Sequence, residues 1–273
     1  MDTLLYDLGK FKMVLDRSDS DISEQIENYG WYDDERFVTE VFATKISEGM
    51  TVLDLGGNIG FYTLFARSIV GPSGKVISFE PFPKNVSLIK ASVKENSFDN
   101  VLIVKAAVSN KVGKAFLFLS PDYNSEHSLL DLGFNYSDDW DSPKKIPVNV
   151  TTVDDYLKKN EKKLKVDFIK MDIEGAEYFA LEGMQQTILQ NDKLTILSEF
   201  WPEGFTKNKI HPLQFLTKLE ELGFSIQHID SLEHMVYPTS PTELMEICYA
   251  RNKNSGDIYT KLWGWYTNIL AIK

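Results

Sequence analysis

A single cysteine, Cys248, stands among the 273 residues, so no intrachain disulfide can form and a reducing compartment fits. It lies in the apolar run Ile247-Cys248-Tyr249-Ala250, where a buried structural thiol is expected rather than a nucleophile. No apolar segment reaches the roughly 18 residues that a membrane-crossing helix needs. The amino terminus lacks the charged-then-apolar pattern of a signal peptide. The chain is therefore expected to be cytoplasmic, with no membrane partner. No long basic run is present, and the formal net charge is −11. That balance opposes non-specific attraction to DNA, RNA or anionic lipid, which depends on Lys and Arg neutralising phosphates. There is no internal repeat and no low-complexity segment. With 43% apolar and 25% charged residues, the composition excludes general disorder.

What is present is an alternation. Short apolar runs at Thr51 to Leu55, Val76 to Phe79, Val101 to Val104, Val166 to Met171 and Leu194 to Leu197 read as strands. Between most of them lie amphipathic stretches that read as helices: Gly60 to Val70, Lys84 to Glu95, Ala176 to Leu189 and Pro212 to Leu222. Such alternation predicts a mostly parallel sheet covered on both faces. Ahead of it, residues 1–48 read as a helical cap or flap, with a helix from Asp34 to Ile46 that buries Phe37, Val38, Val41 and Phe42. Residues 49–273 read as the main domain. Two runs, Ala115 to Leu119 and Ile146 to Val150, predict further strands around an inserted loop at about 120–145, long enough to be functional. Ile247 to Ala250 and Asn268 to Ile272 are expected to add final antiparallel strands.

The first strand runs into Asp54-Leu55-Gly56-Gly57-Asn58-Ile59-Gly60-Phe61-Tyr62, a glycine turn that opens a helix. Glycines let the backbone bend sharply and let a ligand approach it, and the helix start points free N–H groups and a positive dipole end at that ligand. A dinucleotide fold places G-x-G-x-x-G here to receive a pyrophosphate. Asp54, two residues before Gly56, would repel a pyrophosphate but suits a ligand with an ammonium group, as S-adenosylmethionine has. Glu80 ends the next apolar run, where a ribose-binding acid belongs. NAD binding is the next reading and a purely structural turn the last.

A later segment sharpens this. Asp167-Phe168-Ile169-Lys170-Met171-Asp172-Ile173-Glu174-Gly175-Ala176-Glu177 follows a strand pattern and opens a helix. Together with Asp54 to Gly60, Glu80-Pro81-Phe82-Pro83, Ala106-Ala107-Val108-Ser109 and Thr152-Val153-Asp154, it resembles the FkbM family of S-adenosylmethionine-dependent methyltransferases from about Tyr32 to Phe200. Gly57 stands where that family commonly has a small apolar residue, a change that should only loosen the turn slightly. The resemblance implies a Rossmann-like class I methyltransferase fold: an α/β, seven-stranded, mostly parallel sheet with helices on both faces and the cofactor across the carboxyl ends of the first strands.

The roles it implies fall on particular residues. Asp54 and the backbone of Gly56, Gly57, Asn58 and Gly60 would hold the methionine part of S-adenosylmethionine, with Phe61 and Tyr62 bordering it or filling the core. Glu80 would accept both ribose hydroxyls, Pro81 and Phe82 would lie against the adenine, and Ala107 would sit at its edge. Asp172, at the tip of the fourth strand, is the candidate to accept or orient an acceptor's hydroxyl proton, and it also borders the cofactor. Glu174 reads equally as a site residue or a helix cap, three residues from Glu177 on what would be one helical face. His127, in the long loop, is a candidate general base beside the bland reading of a solvated histidine. Asp172 with Glu199 is a weak metal signal, so no metal is assigned. Trp31, Tyr32, Asp33 and Asp34 would form a flap at the entrance, and Trp201 would wall the acceptor pocket.

The expected activity is O-methylation of a hydroxyl on a sugar or secondary metabolite, with a small-molecule or carrier-linked acceptor. The alternatives are an N-, carboxyl- or RNA methyltransferase, RNA being the least suited to an acidic chain, and an NAD-dependent oxidoreductase, which lacks a Tyr-x-x-x-Lys pair here. The oligomeric state is left open.

Overall fold

The computed structural model describes residues 2–32, 35–133, 144–254 and 264–273. It begins with a hairpin, β1 (Thr3–Asp7) and β2 (Lys12–Asp16), followed by helices α1 (Ile22–Tyr29) and α2 (Arg36–Lys45). Then come β3 (Thr51–Leu55), α3 (Phe61–Val70), β4 (Lys75–Phe79), α4 (Pro83–Glu95) and β5 (Val101–Val104). Three strands, β6 (Ala107–Val108), β7 (Gly113–Phe118) and β8 (Lys145–Thr151), lead to α5 (Val153–Asn160). Alternation resumes with β9 (Phe168–Met171), α6 (Glu177–Glu182), α7 (Gln185–Gln190), β10 (Thr195–Phe200), α8 (Pro202–Lys207) and α9 (Pro212–Glu221). The last described elements are β11 (Ser225–Asp230), β12 (Met235–Pro238), α10 (Pro241–Asn254) and β13 (Thr267–Ile272).

The main sheet has the spatial order β12, β11, β13, β10, β9, β3, β4, β5. From β10 to β5 all neighbours are parallel, while β13 inserts antiparallel between β10 and β11. Every residue of β3 is buried, as a central strand covered on both faces requires. Leu53 and Leu55 enter one core with Ile169, Met171 and Phe200. Val52, on the opposite face, enters the other with Phe42, Leu64 and Phe168. Strand order reverses at β3, with β4 on one side and β9 on the other. A crevice at the carboxyl ends of these strands is where such sheets bind ligands.

The seven expected strands of the α/β sheet are therefore present, with β12 as an eighth at the edge. Several local expectations fail for identifiable reasons. Residues 1–48 are not purely helical: Met13 and Leu15 alternate into the core, and β2 lies along α4, where Val14 N donates to Ser92 Oγ at 2.8 Å and Lys12 N to Asn96 Oδ1 at 2.8 Å. Ile247 to Ala250 belongs to α10 rather than a strand, since Leu244, Met245 and Cys248 bury one face at helical spacing. Burial pushes the Cys248 thiol up to about 12, which leaves it unreactive. The helix expected from Ala176 to Leu189 splits into α6 and α7 at Gly183, whose absent side chain admits Ser109 O within 2.2 Å of where a Cβ would stand. Asp154 restarts the second half by accepting from the N–H groups of Gln186 and Thr187 at 2.9 and 2.8 Å. The Ala115 to Leu119 and Ile146 to Val150 runs do form strands, but in a separate three-stranded sheet with β6. Of the inserted loop, residues 120–133 and 144 are described, and the remainder up to β8 lies outside the described residues.

Candidate active site

A cavity of about 400 Å³ opens at the carboxyl ends of β3, β4 and β9. The glycine turn forms its floor. Gly56 has φ +87° and Gly60 φ +99°, both in the left-handed region that favours glycine. A Cβ on Gly56 would lie 1.9 Å from the carbonyl oxygen of Asp172, so the turn and the end of β9 touch backbone to backbone. Gly57 is not a mere loosening of the turn: a Cβ there would lie 2.2 Å from Ser78 Oγ. That hydroxyl accepts from Thr63 Oγ1 at 2.9 Å, and Thr63 Oγ1 is also 2.5 Å from Asp54 Oδ2. Gly57 and Ser78 thus share one volume beneath the turn.

Asp54 belongs to this buried network and does not line the cavity. It is 1% exposed, burial pushes its carboxyl up, and its Oδ1 has no partner among the described residues. Period-2 alternation carries its side chain to the α3 side of β3, with Val52, so it supports the turn from below. Gly60 and Phe82 are likewise absent from the lining, whereas Gly56, Gly57, Asn58, Phe61, Tyr62, Pro81 and Ala107 are in it. Phe61 and Tyr62 are also core residues, 3% and 5% exposed, so each faces the cavity and fills the core at once. Asn58 spends its side chain on the loop and on its own turn. Its amide donates to Asn124 O at 3.4 Å, and its Oδ1 accepts from Ile59 N at 2.6 Å.

Glu80 reaches the cavity at 5% exposure. Its two oxygens accept from Asn58 N at 2.8 Å and Phe82 N at 2.6 Å, which ties the glycine turn to the end of β4. Burial raises its carboxyl to about 8 despite those two bonds.

At the other end of the cavity, Asp172, Glu174 and Glu199 bring one carboxylate oxygen each within 4.8 Å of one another. That spacing lies within reach of a single hard cation. The charge that balances it within the described chain is Lys170, whose Nζ is 2.9 Å from Asp172 Oδ2. Burial, then the neighbouring Asp172, pushes both Glu174 and Glu199 well above the usual carboxylate range. Glu174 does not share a helical face with Glu177. Its φ is +55°, outside the helix that starts at Glu177, and Ser128 Oγ of the loop donates to its carbonyl at 2.8 Å. A left-handed non-glycine residue costs roughly 1–2 kcal/mol, so Glu174 is held there by its surroundings. Glu177 is fully buried and accepts from Ile173 N at 2.9 Å, the part of a turn support.

His127 lines the cavity but is ill suited to act as a base. Its Nδ1 accepts from Ser120 N at 3.1 Å, which places the ring hydrogen on Nε2 and uses the lone pair. Burial, then Lys84, pushes it down to about 4, and its ring meets Phe82 edge-on with centroids 4.7 Å apart. It braces the loop over the cavity. Trp201 and Tyr32 line the cavity; Asp33 and Asp34 lie outside the described residues. Lys170 and Glu35 also line it, although no sequence motif singles them out as site residues. Glu35 has nothing to mark it, but Lys170 carries a signal, a charge within the otherwise apolar strand Phe168-Ile169-Lys170-Met171.

The model of a family described as the methyltransferase FkbM domain matches residues 54–231 of this chain. Methyltransferase sdnD of Sordaria araneosa is 24% identical over 197 residues, covering 64% of this chain and 73% of that protein. Methyltransferase 1 of Beauveria bassiana is 22% identical over 144 residues, 49% of this chain and 57% of that protein, so the chain spans little more than half of that relative. A crystal structure of methyltransferase FkbM from Methylobacillus flagellatus aligns with a TM-score of 0.47 at 14% identity, covering 84% of this chain and 44% of the other.

Proposed function

The chain belongs to the FkbM methyltransferase family, and from that premise we propose that it transfers a methyl group from S-adenosylmethionine to a hydroxyl oxygen of a sugar or secondary metabolite, free or carrier-linked. The observation that carries this reading is one cavity lined both by the glycine turn with Glu80 and, at its other end, by Asp172 with Glu174 and Glu199. The residues fit the cofactor. Gly56 and Gly57 line the cavity, where the absence of side chains lets the turn pack against the end of β9, and Glu80 presents a carboxylate with lone pairs to spare for two ribose hydroxyls. S-adenosylmethionine, when bound, supplies an electrophilic methyl group on a cationic sulfur. The protein's part is to align the acceptor, exclude water and take one proton. Asp172 is the residue proposed to take it, through Oδ1, since Oδ2 is held by Lys170. Asp172, Glu174 and Glu199 can all hydrogen-bond an acceptor hydroxyl, and the negative charge of Asp172 disfavours a carboxylate or phosphate beside it.

Isothermal titration of S-adenosylhomocysteine and of NADH against the purified chain tests the cofactor class. Binding of S-adenosylhomocysteine with none of NADH is expected; the reverse removes the methyltransferase reading. The same titration carries a pH signature. Below about 8 Glu80 holds a proton in the free protein. Ribose hydroxyls donate best to the ionised form, so binding expels that proton. Affinity should therefore rise with pH by up to roughly tenfold per unit and level off above about 8. Glu80→Gln should bind more weakly and lose that slope; an unchanged slope in the variant would remove Glu80 from the cofactor site.

A further inference from the structure

Lys170 is 4% exposed, on a strand whose other three residues are fully buried. Lysine is almost never buried without a partner. Here the ammonium lies 2.9 Å from Asp172 Oδ2 and 4.3 Å from the centre of the Tyr62 ring. Positions 170 and 172, two apart along an extended chain, fall on the same face, so the backbone itself sets this pairing.

Asp172, Glu174 and Glu199 approach within 4.8 Å and are only partly exposed, and carboxyl groups so close oppose one another's ionisation. Something must decide which one carries the charge. We propose that Lys170 decides it: a positioning residue, it fixes Asp172 Oδ2, makes Asp172 the anionic member of the cluster and leaves Oδ1 for the acceptor. Glu174 and Glu199 then hold protons and serve as hydrogen-bond donors. This rests on the methyl-transfer reading only for what Oδ1 receives; the charge assignment stands on the geometry.

The surroundings support the assignment from every packed element. Burial alone would lower the lysine, but Asp172, then Glu35 at the start of α2 and Asp54 on β3, outweigh it and raise it, so the ammonium stays charged. Glu177 at the start of α6 and Glu126 in the loop add negative charge next to Glu174, and Glu199 Oε2 is buried with no hydrogen-bond partner among the described residues. Both effects favour a proton on the glutamates.

The test needs no acceptor. The chain is labelled with carboxyl-13C aspartate, and the signal that vanishes in Asp172→Asn is that of Asp172. At neutral pH that signal is expected at the ionised position in the wild type and in Lys170→Arg, and at the protonated position in Lys170→Met. A lysine that merely fills space would leave it ionised in Lys170→Met, and that result overturns the proposal. If Lys170→Met does not fold, the double variant Lys170→Met with Asp172→Asn, which removes both charges, is expected to fold; its failure also overturns the proposal. Absence of S-adenosylhomocysteine binding in the wild-type chain would remove the methyl-transfer reading and leave the carboxyl result readable.

Discussion

Alanine at position 56 is expected to abolish measurable cofactor binding and to lower thermal stability by roughly 5–15 °C. Two penalties combine at this residue. The backbone sits at φ +87°, where an L side chain costs roughly 1–2 kcal/mol. The new Cβ would also fall 1.9 Å from the Asp172 carbonyl oxygen, when real Cβ contacts hardly ever come under 3.0 Å. The turn and the end of β9 must separate by about an ångström, an overpacking cost of roughly 1–3 kcal/mol. Because that separation opens the floor of the cavity, affinity for S-adenosylhomocysteine should fall at least about 100-fold. Two other glycines isolate the terms. Gly9 has φ +81° and no atom within 4 Å of where a Cβ would stand, so its alanine variant should show the strain alone. Gly113 has neither a positive φ nor a neighbour within 4 Å, and its alanine variant should be benign. Calorimetry should rank Gly56→Ala below Gly9→Ala below Gly113→Ala in melting temperature, with loss of binding confined to the first. Equal effects at positions 9 and 56 would mean that the contact with Asp172 contributes nothing.

How far the residues announce this arrangement depends on where each signal is stored. β3, β4 and β5 are short, buried and apolar, so their sequence states their place, and the glycine turn follows because only glycine tolerates its geometry. Glu80, Ala107 and Asp172 each stand at or just past a strand end, and the fold brings all three to the lining of one cavity. The failures share a different cause. β12 is exposed along most of its length and α10 carries an apolar face that reads equally as a strand over Ile247 to Ala250, so neither declares itself locally. Asp54 looks like a ligand contact because its position in the motif is right, whereas the face it takes is set by the pleat of β3 and the hydroxyl of Thr63. His127 looks like a base because loop histidines often are; the Ser120 N–H that occupies its lone pair is visible only in three dimensions. The acid cluster joins residues from the end of β9 and from β10, so the partner that matters most to Asp172 is the lysine two residues before it.

Asp172→Asn is expected to slow methyl transfer by roughly 10²–10⁴-fold, the range for losing a positioned proton acceptor, while S-adenosylhomocysteine binds as in the wild type. The asparagine keeps the shape and can still accept a hydrogen bond, but it cannot take the proton that the acceptor oxygen must lose. Burial, with the neighbouring acids, pushes the Glu174 and Glu199 carboxyls well above the usual carboxylate range, so they ionise at higher pH than an ordinary carboxylate. A group with a raised value ionises only at higher pH, so the sign of the rescue is fixed: the variant's rate should recover in part as the solution is made more alkaline. The wild type, with Asp172 already charged by its pairing with Lys170, should gain far less over the same interval. Transfer of radiolabelled methyl to a hydroxylated acceptor, followed across pH in both proteins, measures this. Loss of S-adenosylhomocysteine binding in the variant would assign Asp172 to holding the cofactor, and an unaltered rate would take the proton acceptor elsewhere in the cavity. Recovery on alkalinisation distinguishes a base from a spacer, because a residue that only orients the acceptor gives a lowered rate with the same pH dependence.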